Sequence, residues 1–224
     1  MNEPQRHILA CQTLPAFDSA NWESVAQAFS GAQICQLGQH WLDTPHPDFQ
    51  PATVRAGWSH QMLWVYAELT DVDIYNEATR LNEMTYEMGD VFELFLRPLP
   101  QEHYFEFHVT PENQKLQLHL PAAGAIEAIR DGQRTLQDFM MPEIVFESWT
   151  EVLPAARQWR VLSKIEAAAV VDAKSIKAGD EWLFSFSRYD YTRGVSAPVV
   201  SSTSPHTVLN FHRQQEWGRL VFGE

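Results

Sequence analysis

The chain has 224 residues, a hydrophobic fraction of 45% and a formal net charge of −13. This hydrophobic fraction is sufficient for a folded core, so the composition excludes an intrinsically disordered chain. The acidic charge argues against binding of nucleic acid or of an anionic membrane surface, because both need a cationic protein surface. We attribute most of the acidity to solubility.

The sequence shows no secretory leader after Met1 and no apolar run long enough to span a membrane. The chain as written is therefore expected in the cytoplasm, or in the periplasm or outside the cell if a leader has been removed. Cys11 and Cys35 are the only cysteines, and their spacing matches no zinc motif. We expect buried free thiols, with one disulfide as the alternative in an exported protein.

The first 61 residues carry weak signals. Asp18 and Ser19 precede a weakly helical spacing of apolar residues up to Phe29, which predicts a helix cap and about one turn. Three prolines between positions 45 and 51 predict a loop or a sheet edge. Thr53 to Trp58 is a candidate short strand.

The stretch from Met62 to Val109 carries the strongest pattern. Apolar and polar residues alternate with period two in MLWVYAELT, VFELFLR and YFEFHV, which is typical of half-buried strands. No helical pattern separates them, so they favour antiparallel neighbours. One face of this predicted sheet carries Glu93, Glu106 and His108, and we expect function there.

The segment from Tyr75 to Gly89 is long for a hairpin connection, and long ordered loops are often functional. The alternative is a short surface helix. Tyr86 lies in this segment, and its ring is suited to stacking on a sugar. Anchoring of the loop is an equally good explanation of this tyrosine.

The alternation typical of strands recurs in the second half of the chain, where polar turns separate the strand candidates. Strand candidates are Lys115–Leu120, Ile144–Trp149, Trp159–Glu166, Asp180–Tyr189 and Trp217–Phe222, with a turn or small insertion at 121–138, a brief helical connection within 167–176 and a loop at 191–210. No repeat or linker divides the chain, so we expect a single domain over residues 1–224. About eight to ten short strands predict an all-β sandwich or barrel.

Motifs for catalysis are absent: we find no HExxH, GxSxG, P-loop or GxGxxG sequence. Glu93 and Glu106 could act as the acid and base of glycoside hydrolysis, but such a pair on a sheet is an unspecific signal. His103 and His108 fall on opposite strand faces, so a shared zinc ion is not expected. Asp71 and Asp73 form an oxygen cluster that could bind calcium, and turn-forming aspartates are the alternative.

The ordered set of motifs resembles the family 9 carbohydrate-binding modules and family-9-like domains. The matching stretches are FDSANW, LWVYAELTDVDI, YEMGDVFELFLRP, YFEFHVTPEN, GDEWLFSFSRYD and FHRQQEWGRLVF, from about Asp18 to Phe222. The resemblance implies an antiparallel β-sandwich of about ten strands (jelly-roll or immunoglobulin-like) with few short helices, often with structural calcium. It also implies binding of sugars between two tryptophans.

Carried over to this sequence, the resemblance places the first stacking aromatic near Tyr86. It places polar ligand contacts at Glu93 and His108, and near Arg188 and Tyr189. The second tryptophan would lie near Ser202, where this chain has none. Loss of one aromatic wall should cost on the order of 1–3 kcal/mol of binding free energy, if base stacking is a fair guide.

These observations predict a non-catalytic saccharide-binding protein, linked to carbohydrate catabolism, that needs no cofactor other than possible structural calcium. One alternative is a structural or interaction domain that kept the fold and lost the sugar site. A weak glycosidase acting through Glu93 and Glu106 is another, and haem ligation by Met88 and His108, as in a related sandwich family, is a third.

Overall fold

The computed structural model describes residues 7–224 and contains twelve strands. The strands are β1 (Ile8–Thr13), β2 (Ile34–Gln36), β3 (Ala52–Ser59), β4 (Met62–Thr70), β5 (Val91–Pro98), β6 (Tyr104–Val109), β7 (Lys115–Leu120), β8 (Phe146–Leu153), β9 (Gln158–Glu166), β10 (Glu181–Asp190), β11 (Val199–Ser202) and β12 (Gly218–Phe222). The helices are α1 (Trp22–Ala28), α2 (Ala125–Arg130) and α3 (Ala167–Val170), with 3₁₀ turns at Thr85–Glu87, Leu136–Phe139, Pro154–Ala156 and Gln214–Glu216. The prediction of a mostly β chain with few short helices is confirmed.

The strands form one mixed sheet that curls into a half-barrel. Its hydrogen-bonded order is β7-β6-β5-β10-β12-β1-β3-β4-β9-β8, with β11 on β10 and β2 on β3. Strand β1 is parallel to both of its neighbours: Ile8–Cys11 pair with β12, and Gln12 and Thr13 pair with β3. The expectation of a purely antiparallel sheet is wrong at β1, because this strand joins the two halves of the sheet into one path.

The main hydrophobic core lies inside the curl and takes residues from both halves of the sheet. It contains Val65 and Ala67 of β4, Phe92 and Leu94 of β5, and further apolar residues from most other strands. Cys11 and Cys35 belong to this core as free, buried thiols, as the sequence predicts. A continuous core of this kind fixes the curl, because apolar side chains from distant strands leave water together.

Period-two alternation located most strands correctly. Strand β7 has the predicted bounds, Lys115–Leu120, and α3 confirms the predicted brief helical connection. The pattern missed β1, β2 and β11, which have only three to six residues each and little room for a repeating signal. The helix cap also differs: Asn21, rather than Asp18 or Ser19, accepts hydrogen bonds from the first N–H groups of α1.

The sequence predicts half-buried strands, but β5 and β6 are buried on both faces. Every residue of β6 is buried, and so is every residue of β5 except Arg97. A second hydrophobic cluster covers their outer face, with Tyr104 and Phe95 packed among residues of α2 and the C-terminal segment. The polar side chains on that face therefore lie under a cover and do not form an open surface.

No helix within residues 7–224 is long and apolar enough to cross a membrane.

Candidate functional site

A cleft of about 340 Å³ opens on the outer face of β5 and β6. Its lining combines aromatic rings, two carboxylates and a polar rim: Tyr86, Glu93, Phe95, Glu106, Ile126, Ile129, Arg130, Leu136, Tyr189, Leu209, Asn210, Phe211 and His212. Small-molecule sites typically have such a mostly apolar lining with a few convergent polar groups. Three of the predicted ligand-binding residues, Tyr86, Glu93 and Tyr189, meet in this cleft.

The floor of the cleft contains a set of residues that we call the glutamate cluster, composed of Glu93, Glu106 and His108. Glu93 and His108 are direct cross-strand partners on β5 and β6, so their side chains leave the sheet side by side. His108 Nε2 lies 2.7 Å from Glu106 Oε1 and 3.3 Å from Glu93 Oε1. One imidazole edge therefore contacts both carboxyl groups.

The glutamate cluster is almost fully enclosed by protein. Glu93 is 2% exposed, Glu106 is 6% exposed and His108 is not exposed at all. His108 does not line the cleft and lies behind the two glutamates. The structure does not bring His108 to the lining of the cleft, where the sequence predicts a ligand contact.

Burial and charge separate the protonation behaviour of the two glutamates. Burial, reinforced by the charge of Glu106, raises the pKa of Glu93 to about 8. Burial alone would raise the pKa of Glu106, but the charge of His212 and the hydrogen bond from His108 hold that pKa below its usual value. Burial opposes the charge of His108, yet the two carboxyl groups raise its pKa. A proton is therefore retained between these groups near neutral pH.

Tyr86 reaches the cleft because the segment between β4 and β5 is held by buried polar contacts. Asn76 donates from Nδ2 to the carbonyl oxygens of Thr85 and Asp90, at 2.8 and 3.1 Å. Gly89 has φ of +142°, and a Cβ there would lie 2.4 Å from the carbonyl oxygen of Tyr75. The segment is an ordered loop with one 3₁₀ turn, which agrees with the loop prediction rather than with a surface helix.

The aromatic wall of the cleft consists of Tyr86, Tyr189 and Phe211. The rings of Tyr86 and Tyr189 are 6.1 Å apart, and those of Tyr189 and Phe211 are 5.9 Å apart and perpendicular. Tyr86 also contacts the edge of His108 at 5.9 Å. Such contacts fix the ring orientations before any ligand arrives.

The cover of the cleft was not predicted from the sequence. Ile126, Ile129 and Arg130 come from α2, within the stretch expected to be a turn or small insertion. Asn210, Phe211 and His212 come from the segment before β12. Arg130 Nη2 donates to Asn210 Oδ1 at 3.2 Å and links the two parts of the cover. The apolar spacing of Ile126 and Ile129 was the one available signal of a helix.

Two other predicted positions lie elsewhere. Arg188 pairs with Phe92 in the β5–β10 register, so it lies on the core face, where it is buried, and it does not line the cleft. Ser202 is also buried, and its hydroxyl hydrogen-bonds with the Ser185 and Ser187 hydroxyls. The position of the missing second tryptophan thus contributes no wall to this cleft.

Arg188 belongs to a second buried group, which we call the aspartate cluster: Asp71, Asp90 and Asp190 around Arg188. Arg188 Nη2 lies 2.8 Å from Asp71 Oδ2 and 3.2 Å from Asp190 Oδ2. The two oxygens of Asp90 accept backbone N–H groups of Tyr75 and Tyr191, at 2.8 and 2.7 Å. The guanidinium is the cation of this cluster.

These contacts fit the predicted calcium ion at Asp71 and Asp73 poorly. Asp71 already binds the guanidinium of Arg188, and Asp73 is paired with Arg193. Calcium needs six to eight oxygen ligands and would have to displace both arginines. Haem ligation is also disfavoured, because His108 is fully buried and does not line the cleft, so a ring as large as haem has no access to it.

Comparison with solved structures finds the same architecture in several other proteins. A candidate carbohydrate-binding protein from Bacteroides uniformis superimposes with a TM-score of 0.72 at 16% identity, covering 97% of this chain and all of that one. A family 9 carbohydrate-binding module from Caldicellulosiruptor kristjanssonii, in complex with cellotriose, gives a TM-score of 0.64 at 15% identity, covering 96% and 93%. Its glucose complex gives 0.65 at 15%, covering 97% and 96%.

The chain has the fold of the family 9 carbohydrate-binding modules. The predicted resemblance is therefore confirmed for the fold over nearly the whole chain. No protein-family model and no curated protein sequence matches the chain. At about 15% identity, the likeness to family 9 modules establishes the architecture and leaves the ligand to be argued from the cleft.

Proposed function

We propose that the chain is a non-catalytic carbohydrate-binding protein and that the cleft over β5 and β6 holds the sugar. The observation that carries this proposal is the aromatic wall beside two carboxyl groups in one cleft of about 340 Å³. Two solved neighbours of the same fold were crystallised with glucose and cellotriose, which makes a short glucan the first ligand to test.

The cleft offers the two kinds of contact that a sugar needs. Tyr86 and Tyr189 present ring surface to the C–H face of a pyranose, as amphipathic aromatic side chains do. Glu93 and Glu106 can accept hydrogen bonds from hydroxyl groups at the floor. Arg130 and His212 add polar groups at the rim. Phe211 extends the aromatic wall beyond Tyr189.

Calorimetric titration with glucose and cellotriose tests the proposal. Tyr86→Ala should weaken binding by about 1–3 kcal/mol, that is, by roughly 5-fold to more than 100-fold in Kd. Trp149→Ala is a matched control, because Trp149 is a half-buried aromatic that stacks on Trp64 and does not line the cleft. Equal affinity of Tyr86→Ala and wild type would remove Tyr86 from the site.

Two alternatives would be recognised by other results. If the protein binds no sugar on a broad glycan array, that result would favour a structural or interaction domain with this fold. Turnover of chromogenic glycosides that disappears in Glu93→Gln would favour the glycosidase. The shared contact of Glu93 and Glu106 with His108 supports the binding proposal, since it restrains both carboxyl groups.

A further inference from the structure

The glutamate cluster has the dimensions of a metal site. One ligand atom from each of Glu93, Glu106 and His108 lies within 4.8 Å of the others. In a tetrahedral zinc site with bonds of about 2.0–2.1 Å, neighbouring ligand atoms are about 3.3 Å apart. Of the distances from His108 Nε2 to the two glutamates, the 3.3 Å to Glu93 equals this spacing and the 2.7 Å to Glu106 is about 0.6 Å shorter.

A second observation points independently to a missing ligand. Glu93 Oε2 and Glu106 Oε2 are buried and have no hydrogen-bond partner. Buried carboxylate oxygens are nearly always partnered, because leaving one unsatisfied is costly. Both residues line the cleft, so the cluster lies directly beneath it. A cation bound by each carboxyl group through both of its oxygens would satisfy these Oε2 atoms.

The surroundings of His108 suit a metal ligand. A metal-binding imidazole usually donates its other ring N–H to an oxygen, which fixes the ring and its tautomer. Thr85 Oγ1, fully buried at 2.9 Å from His108 Nδ1, can accept a hydrogen bond from that N–H group. The lone pair of Nε2 is then left for the side that faces the glutamates. His212 Nε2 lies 3.8 Å from Glu106 Oε2 and is a nearby fourth donor.

We propose that Glu93, Glu106 and His108 bind one divalent transition-metal ion, zinc in the first instance, with an open coordination position toward the cleft. One imidazole and two carboxylates form a donor set for zinc or manganese, whereas calcium prefers six to eight oxygens. Three protein ligands with a free fourth position are the usual arrangement of an open zinc site. The site does not depend on sugar binding and is tested without sugar.

The experiment titrates zinc into the full chain, expressed without a histidine tag and stripped with EDTA. We expect one zinc ion per chain with micromolar or tighter affinity, and an increase in Tm on zinc addition. Glu93→Gln and Glu106→Gln are nearly isosteric and should each weaken zinc binding at least tenfold. Circular dichroism checks that both variants are folded.

Two controls separate this site from other donors. Glu216→Gln alters another buried glutamate that contacts a histidine, His206, at 3.1 Å outside the cleft, and it should leave zinc binding unchanged. His119→Ala removes one of two neighbouring imidazoles, whose rings are 4.9 Å apart near Asp172. The proposal is overturned if wild type binds no stoichiometric zinc, or if zinc is lost in His119→Ala and kept in Glu106→Gln.

Discussion

The aspartate cluster and the glutamate cluster both bury several carboxyl groups, but they compensate the negative charge of these groups in different ways. In the aspartate cluster, the permanently charged Arg188 binds Asp71 and Asp190, and both oxygens of Asp71 and Asp90 have partners. In the glutamate cluster, the available cations are the imidazoles of His108 and of the neighbouring His212, and Glu93 and Glu106 each keep one unpartnered oxygen. In the first cluster the unpartnered buried atom is Arg188 Nε, whereas the second leaves two carboxylate oxygens unpartnered beside the cleft.

This difference indicates which cluster stabilises the fold and which meets a ligand. A guanidinium is always charged and binds carboxylates with several donors, so a pair of this kind is a fixed structural element. An imidazole changes charge near neutral pH, and unpartnered oxygens are free to bind something else. Because the two clusters share the same sheet, substitutions in each can be compared directly.

The largest loss of stability is expected in the aspartate cluster. Arg188→Met should lower the free energy of unfolding by about 3–5 kcal/mol, because it leaves buried carboxylates without their cation. Arg193→Met is the matched control: Arg193 also pairs with an aspartate, Asp73, but its side chain is 60% exposed, so the loss should be below about 1 kcal/mol. Urea denaturation measures both, and similar losses would contradict the structural role of Arg188.

The next largest effect is on the pH dependence of stability, and it arises from the glutamate cluster. The pKa of Glu93 is raised from 4.5 to about 8, so between these values the folded state binds more protons than the unfolded state. The contribution of Glu93 to stability should therefore fall as pH rises from 5 to 8. Glu93→Gln removes this difference in bound protons between the folded and unfolded states. The free energy of unfolding of the variant should therefore fall less steeply with pH than that of wild type, and the two slopes should differ by up to about 1.4 kcal/mol per pH unit.

Glu216 provides the control for that slope. Burial alone would raise the pKa of Glu216, but hydrogen bonds from Arg213, Thr207 and His206 lower it to about 2. This carboxyl is ionised in both states above pH 5, so Glu216→Gln should leave the slope of stability against pH unchanged. Denaturation midpoints at several pH values give the comparison, and parallel curves for wild type and Glu93→Gln would show that burial does not hold a proton there.

The sequence predicted the sheet far better than the surroundings of the cleft. Alternation depends on neighbours two residues apart, so β7 and the pairing of Glu93 with the next strand could be inferred. The cover depends on contacts between segments 80 residues apart, such as Arg130 and Asn210, for which a single sequence has no local signal. Arg188 is a different case: its strand parity with Phe184 and Phe186 indicates the core face, and only the carried-over resemblance placed it at the ligand.

The smallest expected effect lies at the rim of the cleft, where Arg130 joins Asn210 through a partly exposed hydrogen bond. Arg130→Ala should change stability by no more than about 0.5 kcal/mol, as surface substitutions usually do. If the rim binds a sugar hydroxyl, the same variant should weaken cellotriose binding by about threefold to tenfold, close to 1 kcal/mol. Calorimetry and denaturation on one protein preparation supply both values.

Arg134→Ala is the control for the rim, because Arg134 follows the same helix, pairs with Asp138 at 3.4 Å and does not line the cleft. It should change neither stability nor affinity. A loss of affinity in Arg130→Ala alone would extend the sugar site from its aromatic wall to its cover. Equal affinity in both variants would confine ligand contacts to the wall and floor, because an exposed arginine that touches the ligand cannot be removed without loss of that contact.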